Sequence, residues 1–329
     1  MTLRIAVVSM FTIAAIAVHA GPVASPAWTA TPQRQPSKPI RVEVNLVSIL
    51  ASVLDLNGKP VIDLPQSAFQ VLEEGKSQQI ARFEPETTQP LDIALMVDTS
   101  LSAIAELKLE GEAAARFIQQ VVRPSDRLAV FEFTDDVTEL SPFTNNVPQL
   151  QQATRQLKTG AGTSLYDAVV MGSRQLGRQP EDRRRAIILV TDAGESTSHY
   201  HFEDARRAAI LSGALIYTVL VRFSPSENLR NTAGEHALDT ITDSAGGDLF
   251  YVDSSSDLDP AFARVDRELR TQYRLRYYPD PKPPAGTLRH VEIRVNGNYS
   301  VHYQKSYFAP RATPNDLPAS HAAGSARPQ

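Results

Sequence analysis

The sequence predicts an α/β fold, a doubly wound and mostly parallel sheet inserted between N- and C-terminal β segments that form a small β-sandwich-like domain. From about residue 91 to about residue 270, short apolar runs alternate with segments whose apolar residues recur at helical spacing. This alternation indicates parallel strands with helices on both faces of the sheet. On either side of the region, apolar and polar residues alternate with period 2, which is typical of half-buried strands.

The N-terminus predicts export. Arg4 supplies a positive charge, IAVVSMFTIAAIAV is an apolar stretch of signal-peptide length, and VHA offers small residues for cleavage after Ala20. A single membrane anchor is the alternative, but the stretch is short for a span, which needs about 20 apolar residues. Since no other segment is long and apolar enough to cross a membrane, we expect a periplasmic or secreted protein with no membrane span in the mature chain.

Changes in composition set the predicted segments. Residues 21–38 and 310–329 are rich in Pro, Ala and Ser, as linkers and tails are. The predicted organisation is a signal peptide at 1–20, a linker at 21–38, an N-terminal β segment at 39–87, an α/β domain at 88–272, a C-terminal β segment at 273–309 and a flexible tail at 310–329.

Composition excludes several classes of function. The chain of 329 residues contains no cysteine, which excludes disulfides, thiolate metal sites and a cysteine nucleophile. Its net charge of −4 gives no indication of a nucleic-acid partner. With 42% hydrophobic and 21% charged residues, the balance is that of a globular protein.

The N-terminal β segment contains a strand and a predicted hairpin. Val47, Ile49, Ala51 and Val53 alternate with other residues, and NGK at 57–59 is a turn signal. FQVLEEGKSQQIARF predicts a hairpin around EEGK, in which Phe69 and Val71 face Ala81 and Phe83.

The α/β domain begins with the buried strand DIALMVD and continues with four further parallel strands, RLAVFEF, AIILVTD, ALIYTVLV and DLFYV. VTELSPF is predicted to pair beside RLAVFEF as a short antiparallel edge strand. Gly246 and Gly247 give a stop signal for the helix before the last strand. The predicted helices lie between the strands and after the last one. One of them spans about residues 147–158, and the others are recognised by apolar residues at helical spacing: Ala114, Phe117, Ile118 and Val121; Leu165, Ala168, Val169 and Leu176; Phe202, Ala205 and Ala209; Leu238, Ile241 and Ala245; and Leu258, Phe262, Val265 and Leu269.

The C-terminal β segment returns to period-2 alternation in YRLRYY, HVEIRV and YSVHY. NGN at 296–298 predicts that the last two strands form a hairpin. Because the N-terminal segment has too few strands to bury both faces of a sheet, the two β segments are predicted to pack together.

Side chains with oxygen atoms gather at the predicted strand ends. The stretch MVDTSLS at the end of the first strand carries Asp98, Ser100 and Ser102 at alternate positions. Asp192 ends AIILVTD, and Thr163 lies in the glycine-flanked GAGT at the start of a helix. Ligands of a doubly wound sheet bind beyond the carboxyl ends of its strands. Two carboxylates and three hydroxyls, without His or Cys, suit a hard cation such as Mg²⁺, with Mn²⁺ and Ca²⁺ as alternatives.

MVDTSLS, GAGTS and LVTDAGE resemble the metal-ion-dependent adhesion site of von Willebrand factor type A domains, whose usual form is D-x-S-x-S, then a Thr, then an Asp at a T-D-G-like strand end. The resemblance implies that Ser100, Ser102 and Thr163 contact the metal directly. It implies that Asp98 and Asp192 act mainly through water. Two positions depart from the pattern, because Ala193 stands where glycine is common and Leu101 where a small residue is usual.

The flanking β segments resemble those of a bacterial family of exported proteins with a domain related to von Willebrand factor type A, over roughly residues 40–309. The resemblance implies a fold and a site, but it names no partner. A metal with an open coordination position would accept a carboxylate from a protein, so we expect a non-enzymatic binding protein. The partner, the pathway and the oligomeric state are left open.

Other functions leave weaker signals. The chain has neither the G-x-S-x-G elbow of a hydrolase nor a phosphate-binding P-loop. A phosphoryl-transfer enzyme with a strand-end Asp nucleophile would need a second acid at position 100, where this chain has Ser100. A scaffold with a vestigial metal site remains an alternative.

His199 and His201 form a candidate H-x-H pair, but a solvated loop is favoured because no further partner is evident. The run Arg183–Arg185 is predicted to be a solvated turn.

Overall fold

The computed structural model describes residues 46–86, 89–100, 107–222 and 231–310. The predicted signal peptide, linker and almost all of the predicted tail lie outside these residues, and so does Ser102. The domain boundaries drawn from the sequence stay predictions. All of the described residues belong to one compact unit.

Strands and helices alternate through the middle of the chain, and strands occupy both flanks. The strands are β1 (Val47–Leu54), β2 (Phe69–Glu73), β3 (Lys76–Gln78), β4 (Ile80–Glu86), β5 (Leu91–Asp98), β6 (Arg127–Phe133), β7 (Val137–Thr144), β8 (Arg184–Thr191), β9 (Leu215–Val221), β10 (Leu249–Val252), β11 (Gln272–Tyr277), β12 (Leu288–Val295), β13 (Ser300–Tyr303) and β14 (Ser306–Phe308). The helices are α1 (Leu107–Val121), α2 (Val147–Thr154), α3 (Leu165–Gly177), α4 (Phe202–Ser212), α5 (Thr232–Ala245) and α6 (Leu258–Arg270).

The central sheet has the strand order β10-β9-β8-β5-β6-β7. All neighbours in it are parallel except β6 and β7, which are antiparallel. The predicted doubly wound, mostly parallel sheet is therefore confirmed, and VTELSPF is its antiparallel edge as predicted. Since β5 and β8 are parallel neighbours in the middle of the sheet, their carboxyl ends lie side by side.

Helices cover both faces of this sheet. Leu91, Ile93, Leu95 and Val97 of β5 pack into a core with residues of α1, α2 and α6. The alternate β5 residues pack into a second core with residues of α3, α4 and α5. Burial on both faces explains why β5 reads as a continuous apolar run and not as an alternating one.

The flanking β segments combine into two four-stranded sheets, ordered β13-β1-β11-β4 and β14-β12-β2-β3. Each sheet takes strands from before and from after the α/β region, and the two share one apolar core that includes Ala51, Val71, Tyr277 and Ile293. The predicted β-sandwich-like domain, interrupted by the α/β domain, is confirmed.

The predicted hairpin at NGN is wrong. β12 pairs with β2 and β14, whereas β13 pairs with β1 in the other sheet. The turn between them crosses from one sheet to the other, with Gly297 at a φ of 124°. The sequence pattern placed the apolar residues of β12 and β13 on the correct faces, but the faces meet through the sandwich core and not through backbone hydrogen bonds.

The predicted hairpin at EEGK holds only for its first half. β2 and β3 pair around Glu74 and Gly75, with Val71 opposite Gln78. The chain then changes sheet, because β4 pairs with β11. Phe69 and Phe83 meet across the sandwich, with ring centroids 5.0 Å apart. An alternating pattern does not reveal which sheet a strand joins.

Helix α2 ends earlier than predicted. It ends at Thr154, and the chain then turns toward the sheet, where the Lys158 N–H donates to the Glu132 carboxylate at 2.9 Å. Leu157 packs against the first core. This turn directs the following residues to the carboxyl end of the sheet.

The prediction of a solvated turn at Arg183–Arg185 is wrong. Arg184 is buried and donates to the carbonyl of Leu269 and to Gln272 Oε1. Arg183 pairs with the buried Asp92 at 2.7 Å. Carbonyls and a carboxylate therefore satisfy these guanidinium groups. Arg184 links β8 to the end of α6 and the start of β11, and Arg183 links the start of β8 to β5. Within the described residues, no helix is both long and apolar enough to cross a membrane.

Candidate metal centre

The predicted ligands lie at the carboxyl end of the central sheet. Asp98 ends β5, and Asp192 directly follows β8. Val97 pairs with Val190, so the two strand ends are level. Thr163 precedes α3 by two residues. We call residues 98–100, 160–164 and 191–198 the rim.

Asp98 is the most enclosed of the predicted ligands. One of its oxygens accepts the Ser100 N–H at 3.0 Å, and the other accepts the Thr191 hydroxyl at 2.6 Å. Burial, and then the negative charge of Asp192, raise the pKa of Asp98 to about 6. The charged form of this side chain is thus disfavoured, since it lies out of water beside a like charge.

Ser100 lies against the loop that carries Thr163. Ser100 and Gly160 form a parallel bridge, and the Gly160 N–H donates to the Thr99 carbonyl at 3.0 Å. On its other side Gly160 lies against Thr134, and a Cβ on Gly160 would be only 2.5 Å from the Thr134 side chain. The packing of Gly160 against Thr134 therefore requires glycine. The hydroxyl-bearing segment after β5 and the predicted threonine loop are therefore neighbours.

The Thr163 backbone is held by the loop after β8. Its N–H donates to Ser196 Oγ at 3.0 Å, and its carbonyl accepts the Ser196 N–H at 2.9 Å. Glu195 accepts the Tyr166 N–H at 3.2 Å, in the first turn of α3, where a negative charge is favourable. From the sequence, Glu195 and Ser196 are predicted to be ordinary loop residues, with a role in tuning the rim as the alternative. Their acceptor side chains, three and four residues after the strand-end Asp192, were the available signal.

Asp192 and Thr163 meet at Gly194. The Gly194 N–H donates to Asp192 Oδ1 at 3.0 Å. A Cβ on Gly194 would lie 2.9 Å from Thr163 Oγ1 and 3.2 Å from Asp192 Oδ1. Both oxygen atoms therefore face the same small space above the glycine backbone.

Ala193, which stands where the family pattern usually has glycine, keeps a backbone conformation typical of glycine. It has a φ of 68°, the left-handed region in which glycine is usually found. The Asn231 side chain donates to the Ala193 carbonyl at 2.9 Å and supports this turn. Asn231 also caps the start of α5, so its capping pattern was visible in the sequence but its contact with the rim was not.

His199 and His201 do not converge on a common ligand. The exposed His199 ring contacts Asp167 at 2.9 Å. The hydrogen bond with the Asp167 carboxylate is the main cause that raises the pKa of His199. His201 instead begins α4, where its N–H donates to Asp204 at 3.0 Å. The two residues order the loop before α4.

The described rim groups fit a hard cation. Asp98, Ser100, Thr163 and Asp192 offer only oxygen donors, which Mg²⁺, Mn²⁺ and Ca²⁺ accept. Ser102, the fifth predicted ligand, lies outside the described residues. The two neighbouring carboxylates repel each other, and a cation between these segments would remove that repulsion.

Residues 93–195 match the von Willebrand factor type A domain family. No curated protein matches the sequence. Among solved structures, the vWF domain of the type V pili tip protein Mfa5 from Porphyromonas gingivalis is 15% identical, with a TM-score of 0.46, over 55% of this chain and 95% of that one.

Two further structures are similar. The PilB minor pilin from Streptococcus sanguinis is 12% identical, with a TM-score of 0.46, over 56% of this chain and 62% of that one. A von Willebrand factor type A protein from Catenulispora acidiphila is 10% identical, with a TM-score of 0.48, over 80% and 72%. The family match, together with the doubly wound and mostly parallel sheet, identifies residues 93–195 as a von Willebrand factor type A (VWA) domain.

Proposed function

We propose that the protein is an exported, non-enzymatic binding protein with a metal-ion-dependent adhesion site. Asp98, Ser100, Ser102, Thr163 and Asp192 hold one divalent cation, with Mg²⁺ as the expected ion and Mn²⁺ and Ca²⁺ as alternatives. The cation, when bound, supplies a positive charge and a coordination position for a carboxylate of a protein partner.

The observation that carries the proposal is the buried Asp98 beside Asp192. A carboxylate held out of water next to a second one is costly unless a positive charge accompanies it. Thr191 and the Ser100 N–H fix the orientation of Asp98, so little reorganisation is needed when the cation arrives.

The loops around the site give the partner's carboxylate its direction. Ser196 orients the Thr163 backbone, and Glu195 orients the start of α3. Through these contacts the Thr163 hydroxyl stays on the same side of Gly194 as Asp192 Oδ1. Residues on the surrounding surface then decide which acidic partner is accepted.

Thermal unfolding with Mg²⁺ and with a chelator tests the metal. A ligand at a hundredfold excess over its dissociation constant stabilises the folded state by about 2.7 kcal/mol. We expect wild type to gain this stability and Asp192→Asn, which removes a charge at nearly constant size, to lose it. Asp136→Asn is the matched control, because Asp136 is an exposed acid near the rim that belongs to no proposed ligand set.

The melting test has two informative outcomes. If Asp192→Asn gains as much stability from Mg²⁺ as wild type does, the ligand set is wrong. If Mg²⁺ stabilises none of the three proteins, the adhesion site is vestigial and a scaffold role replaces the binding role.

The partner is tested by affinity capture from the exported fraction. Wild type is compared with Asp192→Asn, each with Mg²⁺ and with chelator. We expect a partner that only wild type retains, and only with Mg²⁺. A partner retained equally in all four samples would contradict capture through the metal.

Export is tested by N-terminal sequencing of the mature protein. The charged start, apolar stretch and VHA site should give a chain that begins at Gly21. A chain that still begins at Met1 and stays in the membrane would contradict periplasmic or secreted localisation.

A further inference from the structure

A second group of candidate ligands lies at the other end of the central sheet. Asp248 directly precedes β10, Glu268 belongs to α6, and His302 belongs to β13 of the sandwich. One ligand atom from each side chain lies within 4.8 Å of the other two. We call Asp248, Glu268 and His302 the boundary cluster, because it joins the α/β region to the sandwich.

Glu268 is buried with only part of its hydrogen-bonding capacity used. It is 1% exposed, and its Oε1 atom has no hydrogen-bond partner among the described residues. Burial raises the pKa of Glu268, although the neighbouring His302 acts in the opposite direction. A buried carboxylate oxygen without a partner is rare in folded proteins and indicates a missing water or ion.

The sandwich adds a buried hydroxyl beside the cluster. Ser52 lies opposite His302 in the β1–β13 register, so both side chains project from the same face of that sheet. Ser52 is 1% exposed, and its hydroxyl neighbours that of the buried Tyr217. The surroundings of the boundary cluster are therefore polar as well as buried.

The geometry of His302 fits a metal ligand as well as it fits an ion pair with Glu268. Its Nδ1 lies 3.3 Å from Glu268 Oε2, which is longer than a charge-assisted hydrogen bond of about 2.7–2.9 Å. The spacing suits two ligands that each lie about 2.0–2.2 Å from one zinc ion. Ser300 Oγ lies 3.1 Å from Nε2. A proton on Nε2 donated to Ser300 leaves the Nδ1 lone pair toward the carboxylates, as metal-binding histidines require.

The donor types select the class of cation. One imidazole nitrogen and two carboxylates suit Zn²⁺ or a similar first-row ion, whereas Mg²⁺ and Ca²⁺ prefer oxygen donors alone. Arg264 is the competing positive charge, at 3.4 Å from Asp248 Oδ2. That contact is long and partly exposed, so it offers the carboxylate only weak compensation.

We propose that Asp248, Glu268 and His302 bind one divalent transition-metal ion, best matched by Zn²⁺, which links β10 and α6 to β13. The ion neutralises the buried Glu268 carboxylate and holds the sandwich against the α/β region. This site uses no residue of the rim, so it stands or falls independently of the proposed adhesion site.

The test is a calorimetric titration of Zn²⁺ into the full mature chain in the presence of excess Mg²⁺. We expect wild type to bind one Zn²⁺ and His302→Gln to bind it about a hundredfold more weakly or not at all, since one of three ligands is lost. His290→Gln and His199→Gln are matched controls on exposed histidines outside the cluster, and both should bind as wild type does.

Asp248→Asn is a second variant, on a more exposed side chain, and it should also lose Zn²⁺ affinity while circular dichroism shows an intact fold. Asp192→Asn should keep the Zn²⁺ site, and His302→Gln should keep Mg²⁺-dependent stabilisation. Equal Zn²⁺ binding by wild type and His302→Gln would overturn the proposal. So would a loss of Zn²⁺ binding in His199→Gln or Asp192→Asn, because the ion would then be at the rim.

Discussion

The rim and the boundary cluster lie at opposite ends of one sheet, and the chain assembles them differently. At the rim, each candidate ligand follows a strand or precedes a helix, so local chain geometry brings it into place. In the boundary cluster, Glu268 belongs to α6 and His302 to β13 of the sandwich, so the two lie in different structural layers. The first kind of site leaves short motifs in a sequence, and the second depends on the packing of distant segments.

The largest expected effect comes from Gly246→Ala, which should disrupt the packing beside the boundary cluster and leave the rim intact. Gly246 ends α5 with a φ of 85°, and a Cβ there would lie 2.1 Å from the backbone of Tyr303 and Gln304. The left-handed conformation and the overlap together should cost about 2–4 kcal/mol. We expect urea unfolding to show this loss and Zn²⁺ binding to weaken, because β13 moves away from α6. Unchanged stability would show that the two layers are not tightly packed there.

Gly234→Ala tests the rim side in the same way. A Cβ on Gly234 would lie 2.0 Å from the Ala193 carbonyl, so the turn after Asp192 must shift. We expect a loss of about 1–3 kcal/mol in the free energy of unfolding, as overpacking usually causes. Mg²⁺-dependent stabilisation should fall while Zn²⁺ binding stays unchanged. If both metals are affected equally, the two ends of the sheet are not independent.

Ser196→Ala should have a smaller effect. It removes the acceptor of the Thr163 N–H, and the loss of such a hydrogen bond costs about 1 kcal/mol. We expect calorimetry to show weaker Mg²⁺ binding and a small decrease in melting temperature. Ser256→Ala, on a residue outside the rim, is the matched control. Identical Mg²⁺ affinity in the two variants would show that Ser196 does not position Thr163.

Periodicity was sufficient to predict the α/β region. The continuous apolar run of β5 and the helical spacing in α1 and α6 each reflect burial that is set by neighbours in one local unit. The interrupted sandwich was also predictable, because the N-terminal segment alone had too few strands to bury both faces of a sheet. The pairing inside the sandwich was not. β12 and β13 carry apolar faces of the correct phase, but only tertiary packing decides whether such faces lie side by side in one sheet or face each other.

The same limit applies to polar residues. Asp98, Thr163 and Asp192 were predicted as ligands from their places relative to strands and helices, and the structure places all three at the carboxyl end of the sheet; their role as ligands stays a prediction. Arg184 was predicted to be solvated because a charged run usually is, yet its carbonyl and amide partners lie about 90 residues away in the chain. The contact between Asn231 and the Ala193 carbonyl was missed for a similar reason.

The central claim is that Asp98 is part of a cation site at the rim. Calorimetric titration of Mg²⁺ into wild type and Asp98→Asn tests it most directly. The amide keeps the size of the side chain and can still accept the Ser100 N–H, and it removes a buried charge that is unfavourable without metal. We expect wild type to bind one Mg²⁺ at millimolar concentration or below, and Asp98→Asn to fold normally and show no binding. Equal Mg²⁺ uptake by both proteins, or uptake by neither, would contradict the claim.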